Sequence, residues 1–222
     1  MNSEFAKHFE KLAGSKFGHI HSWDLFREWL SAVWWMLDGG RDAERKQRLD
    51  RYTAEQGAEL AGLLNEYCRM VEQRPFHDIL GDAFMELDLA SVHAGQYFTP
   101  FHVCRMMAEM NFDESLLRQK AEAGEKMTVC DPACGSGAML LAYGQVIHDK
   151  MGRDWLRHAA AFYGMDIDER CVLMASIQLR MNGMDSFGRC MGMIGAMSEQ
   201  EGQVVSLPEV PAITVGQLEL SL

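Results

Sequence analysis

The chain has 222 residues, 48% hydrophobic and 24% charged, with 21 Lys and Arg against 32 Asp and Glu for a net charge of −11. That composition excludes a disordered chain, and no apolar run approaches the ~18 residues of a membrane span. The acidic surplus offers no basic stripe for gripping DNA unaided, so DNA contact is expected to be weak, local or delegated to a partner.

The N-terminal "MNSEFAKHFEKLAG" is charged throughout and lacks the apolar centre of a signal peptide, which places the protein in the cytoplasm. Residues 1–92 read as a helical region. In "SWDLFREWLSAVWWML", Ser22 can cap, and Trp23, Phe26, Trp29, Leu30, Val33, Trp34 and Leu37 recur at helical spacing, the pattern of a core-facing helix. Gly39 and Gly40 end it, and a charged connection follows. Thr53 opens a second long helix, carried by Leu60, Leu63, Leu64, Tyr67, Met70 and Val71 and stopped by Pro75. "FHDILGDAFMELDLA" reads as a third, amphipathic helix.

Residues 93–222 read as a second region of α/β type. Thr99 is an N-cap candidate and Pro100 suits the first helical position in "GQYFTPFHVCRMMAEM". "MTVCD" is a short strand, Ala138 to about Lys150 a helix, "AAFYGMDID" a second strand, and Asp168–Asn182 a helix closed by Gly183. Strand, glycine turn, helix, strand, helix is the opening of a parallel sheet. Beyond Gly183, "GRCMGMIGAM" and "AITVGQLELSL" are candidate strands.

The six cysteines, Cys68, Cys104, Cys130, Cys134, Cys171 and Cys190, form no CxxC pair and find no second pair to complete a zinc site. Buried free thiols and no metal are expected.

The turn "DPACGSG" carries the chemistry. Gly135 and Gly137 let the backbone pass close to a ligand, and the following helix aims its N-terminus at the same place. Three details disfavour a dinucleotide. Leu140 stands where a third glycine would be. Asp131 would repel a pyrophosphate but attract an ammonium or sulfonium. Asp166 follows about thirty residues after the turn rather than ~20. S-adenosylmethionine fits better: it is cationic and carries no phosphate. Asp166 can accept both ribose hydroxyls, Ile167 can cover the adenine face, and the turn leaves room for the methionine portion. Upstream, the helix N-terminus at Thr99-Pro100 suits the methionine carboxylate, with Tyr97 and Phe98 as walls.

These segments, spanning Asp78 to Gly183 in the order "DILGDAFMELDLASVHAGQYFTPFHVCRMMAEM", "VCDPACGSGAMLLA" and "FYGMDIDERCVLMASIQLRMNG", resemble the N6-adenine DNA methyltransferases, in particular the methylation subunit of type I restriction-modification systems. The resemblance implies an α/β fold, a helical region followed by a partial Rossmann-like S-adenosylmethionine-dependent methyltransferase sheet. It implies cofactor-binding roles for Gln96, Tyr97, Phe98, Thr99, Asp131, Pro132, Ala133, Gly135, Ser136, Gly137, Asp166 and Ile167. It also implies a restriction-modification partner and DNA as the eventual substrate.

The family's catalytic motif, Asn or Asp followed by Pro-Pro and an aromatic, accepts the N–H bonds of adenine N6 and stacks on the flipped base. The five prolines, Pro75, Pro100, Pro132, Pro208 and Pro211, include no adjacent pair. The chain is expected to stop short of the fourth strand and the target-recognition elements, and Gln217 occupies the place of the acidic residue after the third strand. Three readings follow: a cofactor-binding methyltransferase relative that is inactive alone, an active enzyme with a divergent motif or a complementing chain, and a non-enzymatic interaction or anti-restriction module. A half-sheet also predicts self-association or a covered edge.

Overall fold

A computed structural model describes residues 4–38, 51–87, 89, 97–184 and the backbone of 186–190. Among them the chain runs α1 (Glu4–Lys16), α2 (Ser22–Asp38), α3 (Ala54–Gln73), α4 (Ile79–Glu86), α5 (Phe101–Asn111), α6 (Glu114–Glu122), β1 (Met127–Asp131), α7 (Ala138–Met151), α8 (Arg153–His158), β2 (Ala160–Asp166), α9 (Glu169–Met181) and β3 (Ser186–Cys190).

The predicted helices form where their caps stand. Thr53 closes a capping box with Gln56 at the start of α3. Asp168 caps α9. At the other end of α9, Gly183 takes φ +71, its N–H reaching Arg180 O at 2.9 Å while Met184 N–H reaches Leu179 O at 3.0 Å. That paired closure is the Schellman arrangement, which a residue without Cβ accommodates. Two starts differ from the expectation. Ser22 is the first residue of α2 rather than its cap, and His21 precedes it, its carbonyl accepting from Leu25 N–H at 3.0 Å. At α5, Pro100, not Thr99, is the N-cap, and the helix begins at Phe101. Proline supplies no capping side chain, so no side-chain cap bond forms there.

Among the described residues three strands form one sheet in the order β1-β2-β3, all parallel. Parallel neighbours need crossovers; α7 with α8 provides the first and α9 the second. β2 lies between the other two, and its Ala160, Ala161 and Phe162 are buried, as a covered parallel strand requires. The third strand, expected from residue 188 onward, begins at Ser186. The candidate last strand, Gln217, Pro208, Pro211 and the Gly39-Gly40 stop lie outside the described residues.

Among the described residues the core has three parts. The first joins α1 to α4 around Phe5, Phe9, Phe26, Trp29, Tyr67 and Phe84, and continues onto Cys171, Met174 and Ile177 of α9. The tryptophan-rich helix is therefore core packing at Trp29, whose Nε1 donates to Leu60 O, while Trp23 is 38% exposed. The second part lies between the sheet and its helices, around Leu140, Leu141, Ile147, Leu156 and Phe162. The third sets α5 on α7 through Cys104, Ala108, Ala138, Ala142 and Val146, where small side chains allow close approach. Cys68, Cys104, Cys134 and Cys171 are buried free thiols, but Cys130 is exposed, because it points away from the helices covering β1. Among the described residues no helix is long and apolar enough to cross a membrane, and no group of three His, Cys, Asp or Glu is placed to hold a metal.

Candidate cofactor site at the glycine turn

The register aligns Asp131 of β1 with Gly164 of β2, so Asp166 stands just beyond, beside the turn that leaves β1. The turn is tied to β2 by Cys134 N–H donating to Met165 O at 2.9 Å. Gly135 and Gly137 have φ +52 and +94, both in the left-handed region that favours glycine. A side chain at either would also meet a neighbour. At Gly135 a Cβ would stand 3.0 Å from the Phe98 ring; at Gly137, 3.0 Å from the Ala175 Cβ.

The turn presents two faces. Pro132 and Ala133 are exposed and Gly135 half-buried, while Cys134, Ser136 and Gly137 are buried. Asp131 Oδ1 accepts from Ala133 N–H at 3.0 Å. Asp166 Oδ2 accepts from Gly135 N–H and its Oδ1 from Asp168 N–H, each at 2.9 Å. Each carboxylate oxygen has two acceptor positions, so Asp166 keeps capacity for two further donors. The field around the turn is negative. Burial raises the Cys134 thiol to about 12, with Asp166 and Asp131 adding to the rise. Burial likewise raises Cys171, again with Asp166 and then Asp168 adding. A cation is welcome in such a field and a phosphate is not.

Upstream, Phe98 lies on Gly135 and stacks on Phe84 at 5.5 Å, so the turn touches the helical region. Tyr97 is 76% exposed, Thr99 is exposed, and Ile167 on the other side is 73% exposed. The structure thus gathers Phe98, Asp131, Pro132, Ala133, Gly135, Gly137, Asp166 and Ile167 around one turn, with Tyr97 and Thr99 on the approach to α5. Gln96 lies outside the described residues.

Ser136 is different. Its side chain, 1% exposed, turns inward and donates to Asp78 Oδ2 at 2.6 Å. Asp78, 4% exposed, also accepts from Gly81 N–H at 3.0 Å and Gln178 Nε2 at 2.7 Å. Gln178 donates to Ser136 O as well and accepts from Leu80 N–H. Asn182 continues the set, accepting from Phe76 N–H at 2.7 Å. Burial pushes the Asp78 carboxyl up, bonds from Gln178, Ser136 and Gly81 pull it down, and Asp82 adds to the rise. Sequence reading missed Asp78 and Gln178. The available signal was a glutamine on the apolar face of α9, between Met174 and Met181.

The family model described as N-6 DNA Methylase matches residues 77–191, just over half of the chain and every element from α4 to β3. The chain belongs to that family. Among curated proteins it is similar to the type I restriction enzyme MjaVII methylase subunit of Methanocaldococcus jannaschii, at 25% identity over 132 residues. That stretch is 56% of this chain and 20% of the relative, so the chain spans about a fifth of the length of the methylase subunit it matches. The N-6 DNA methylase match takes in the turn, Asp166 and the Asp78 cluster together.

Proposed function

We propose that the chain binds S-adenosylmethionine at the glycine turn and is the cofactor-binding part of an N6-adenine DNA methyltransferase of the type I restriction-modification kind. The observation that carries the reading is the pairing of a Gly135-Gly137 turn with two carboxylates, Asp131 and Asp166, at the ends of adjacent parallel strands. In this reading Asp166 accepts the ribose hydroxyls, Ile167 covers the adenine, and Asp131 faces the cationic methionine end. Gly135, Gly137, Pro132 and Ala133 form the floor. Tyr97, Phe98 and Thr99 line the methionine side, with the carboxylate at the uncapped start of α5; Gln96 takes the cofactor-binding role that the family resemblance gives it. The two regions, 1–92 and 93–222, act as a helical support and a Rossmann-like cofactor domain.

The cofactor supplies an electrophilic methyl group. The residues that would hold adenine N6 are not in this sequence, which contains no Pro-Pro pair. Methyl transfer by these 222 residues alone is therefore not expected. DNA would be reached together with a restriction-modification subunit or a second copy of the chain, in the cytoplasm.

Calorimetric titration with S-adenosylmethionine and S-adenosylhomocysteine tests this. One-site binding by the parent is expected. Asp166→Ala should weaken it by about 3–6 kcal/mol, more than a hundredfold, from two lost bonds to a charged acceptor. An Asp166→Ala variant that binds like the parent would sink the assignment. A second reading, an interaction module that keeps the fold without the ligand, is favoured by Asp166 already accepting two backbone bonds and by Phe98 lying over Gly135. No binding at millimolar cofactor would select it.

A further inference from the structure

We infer that Asp78, Ser136 and Gln178 are positioning residues for the cofactor turn: a buried carboxylate at the start of α4 holds the turn in its ligand-ready shape from beneath. Ser136 then acts through the backbone it anchors rather than by touching ligand.

The geometry is specific. The Asp78 carboxylate sits between α4, the turn and α9, and takes one donor from each: Gly81 N–H, Ser136 Oγ and Gln178 Nε2. Gln178 Nε2 also grips Ser136 O, so the side chain and the carbonyl of one turn residue are both held. Ser136 stands between Gly135 and Gly137, the two residues with the greatest backbone freedom in the loop. Pinning the residue between two glycines removes the freedom that both would otherwise have. No space separates α4 from the turn, because a Cβ on Gly81 would collide with the Asp78 carboxylate and with Ser136 Oγ. All donors to Asp78 are neutral, so burying this carboxylate is costly unless every bond is made. A group of that kind tolerates one arrangement of its neighbours. The same cluster fixes Gly135 N–H toward Asp166, since Ser136 is the next residue in the chain.

The inference rests on the cofactor reading only for its ligand measurement. The full chain is compared with Ser136→Ala, Asp78→Ala and Asp78→Asn by calorimetry with S-adenosylmethionine, by thermal melting, and by hydrogen exchange without ligand. Ser136→Ala and Asp78→Ala should weaken binding at least tenfold in protein that is folded at the titration temperature. Asp78→Asn should recover most of that loss, because its amide can still accept from Gly81 and Gln178 and donate to Ser136. Exchange at the Gly135 and Gly137 amides, both hydrogen-bonded in the parent, should speed up tenfold or more in Ser136→Ala, with Leu63 in α3 unchanged. Should Asp78→Ala fail to fold, Ser136→Ala decides. Binding within twofold of the parent in Ser136→Ala, or exchange accelerated equally at Leu63, overturns the inference. Should the parent not bind the cofactor, the cofactor reading fails by itself, and turn exchange alone decides: local acceleration upholds the positioning role, unchanged exchange refutes it.

Discussion

Gly137 shows how one residue combines two constraints. It needs φ +94 to turn the chain from the loop into α7, and it needs an absent side chain to let α7 approach Ala175 of α9. Gly137→Ala would meet both penalties, so a loss of about 2–4 kcal/mol is expected in urea denaturation; a variant within 0.5 kcal/mol of the parent would contradict the packing described. Asp78 makes a pH prediction. Its folded pKa is raised from the ordinary value of 3.8, chiefly by burial, so the folded state holds the proton more tightly than the unfolded chain does. Its contribution to stability is fully present below the unfolded value and is lost as pH rises through the folded value. Asp78→Asn stays neutral throughout. Its melting temperature relative to the parent should therefore climb as pH is raised from about 3.5 to 7, and parallel melting profiles across that range would show that Asp78 is not held as described.

Among the elements, the helix ends are the legible and testable features. The Thr53–Gln56 capping box satisfies two donors at the start of a 20-residue helix that contributes seven buried side chains. Thr53→Ala should cost about 1 kcal/mol, read as a drop in the denaturation midpoint with an unchanged slope; no change in midpoint would mean that the start of α3 is frayed. Sequence reading did not single out α1, α6 or α8. α1 carries Phe5, Phe9, Leu12 and Ala13 on one buried face at helical spacing, a signal that was left within the helical region 1–92; α6 and α8 have only 9 and 6 residues. α6 buries Leu117 alone and α8 Leu156 alone. A helix with one buried anchor shows no periodicity to read, and packing beside β1 and β2 decides it instead.

At the scale of the whole molecule, α9 joins the two regions. One face carries Cys171, Met174 and Ile177 into the N-terminal core, while Ala175 and Leu179 face the sheet core. Arg170 reinforces the junction: its guanidinium lies 4.1 Å from the Trp23 ring centre and 4.8 Å from that of Phe84, pairs with Asp168 at 2.6 Å and donates to Leu89 O. Helical region and sheet should therefore unfold in one transition, with tryptophan fluorescence and far-ultraviolet circular dichroism coincident. Met174→Ala should lower that shared transition by about 2–5 kcal/mol. Two separated transitions, only one of them shifted, would show that the regions are independent.

The sequence by itself determined the parts whose physics is local. A β-type run, two glycines at a turn, a capped helix and an acidic strand end are each specified within a few neighbouring residues, and so the glycine turn, Asp166 and the parallel α/β order were readable from the chain, as was the resemblance to the N6-adenine methyltransferases that the family match bears out. Only the tertiary structure decided what lies beneath the turn. Asp78 and Ser136 are 58 residues apart and Asp78 and Gln178 are 100 apart, so nothing in any local window marks them as partners. Ser136 read as a ligand contact because the turn's sequence gives its position but not its direction. Its side chain points inward because a buried carboxylate needs every donor within reach, and that need arises only once α4, the turn and α9 have been packed together.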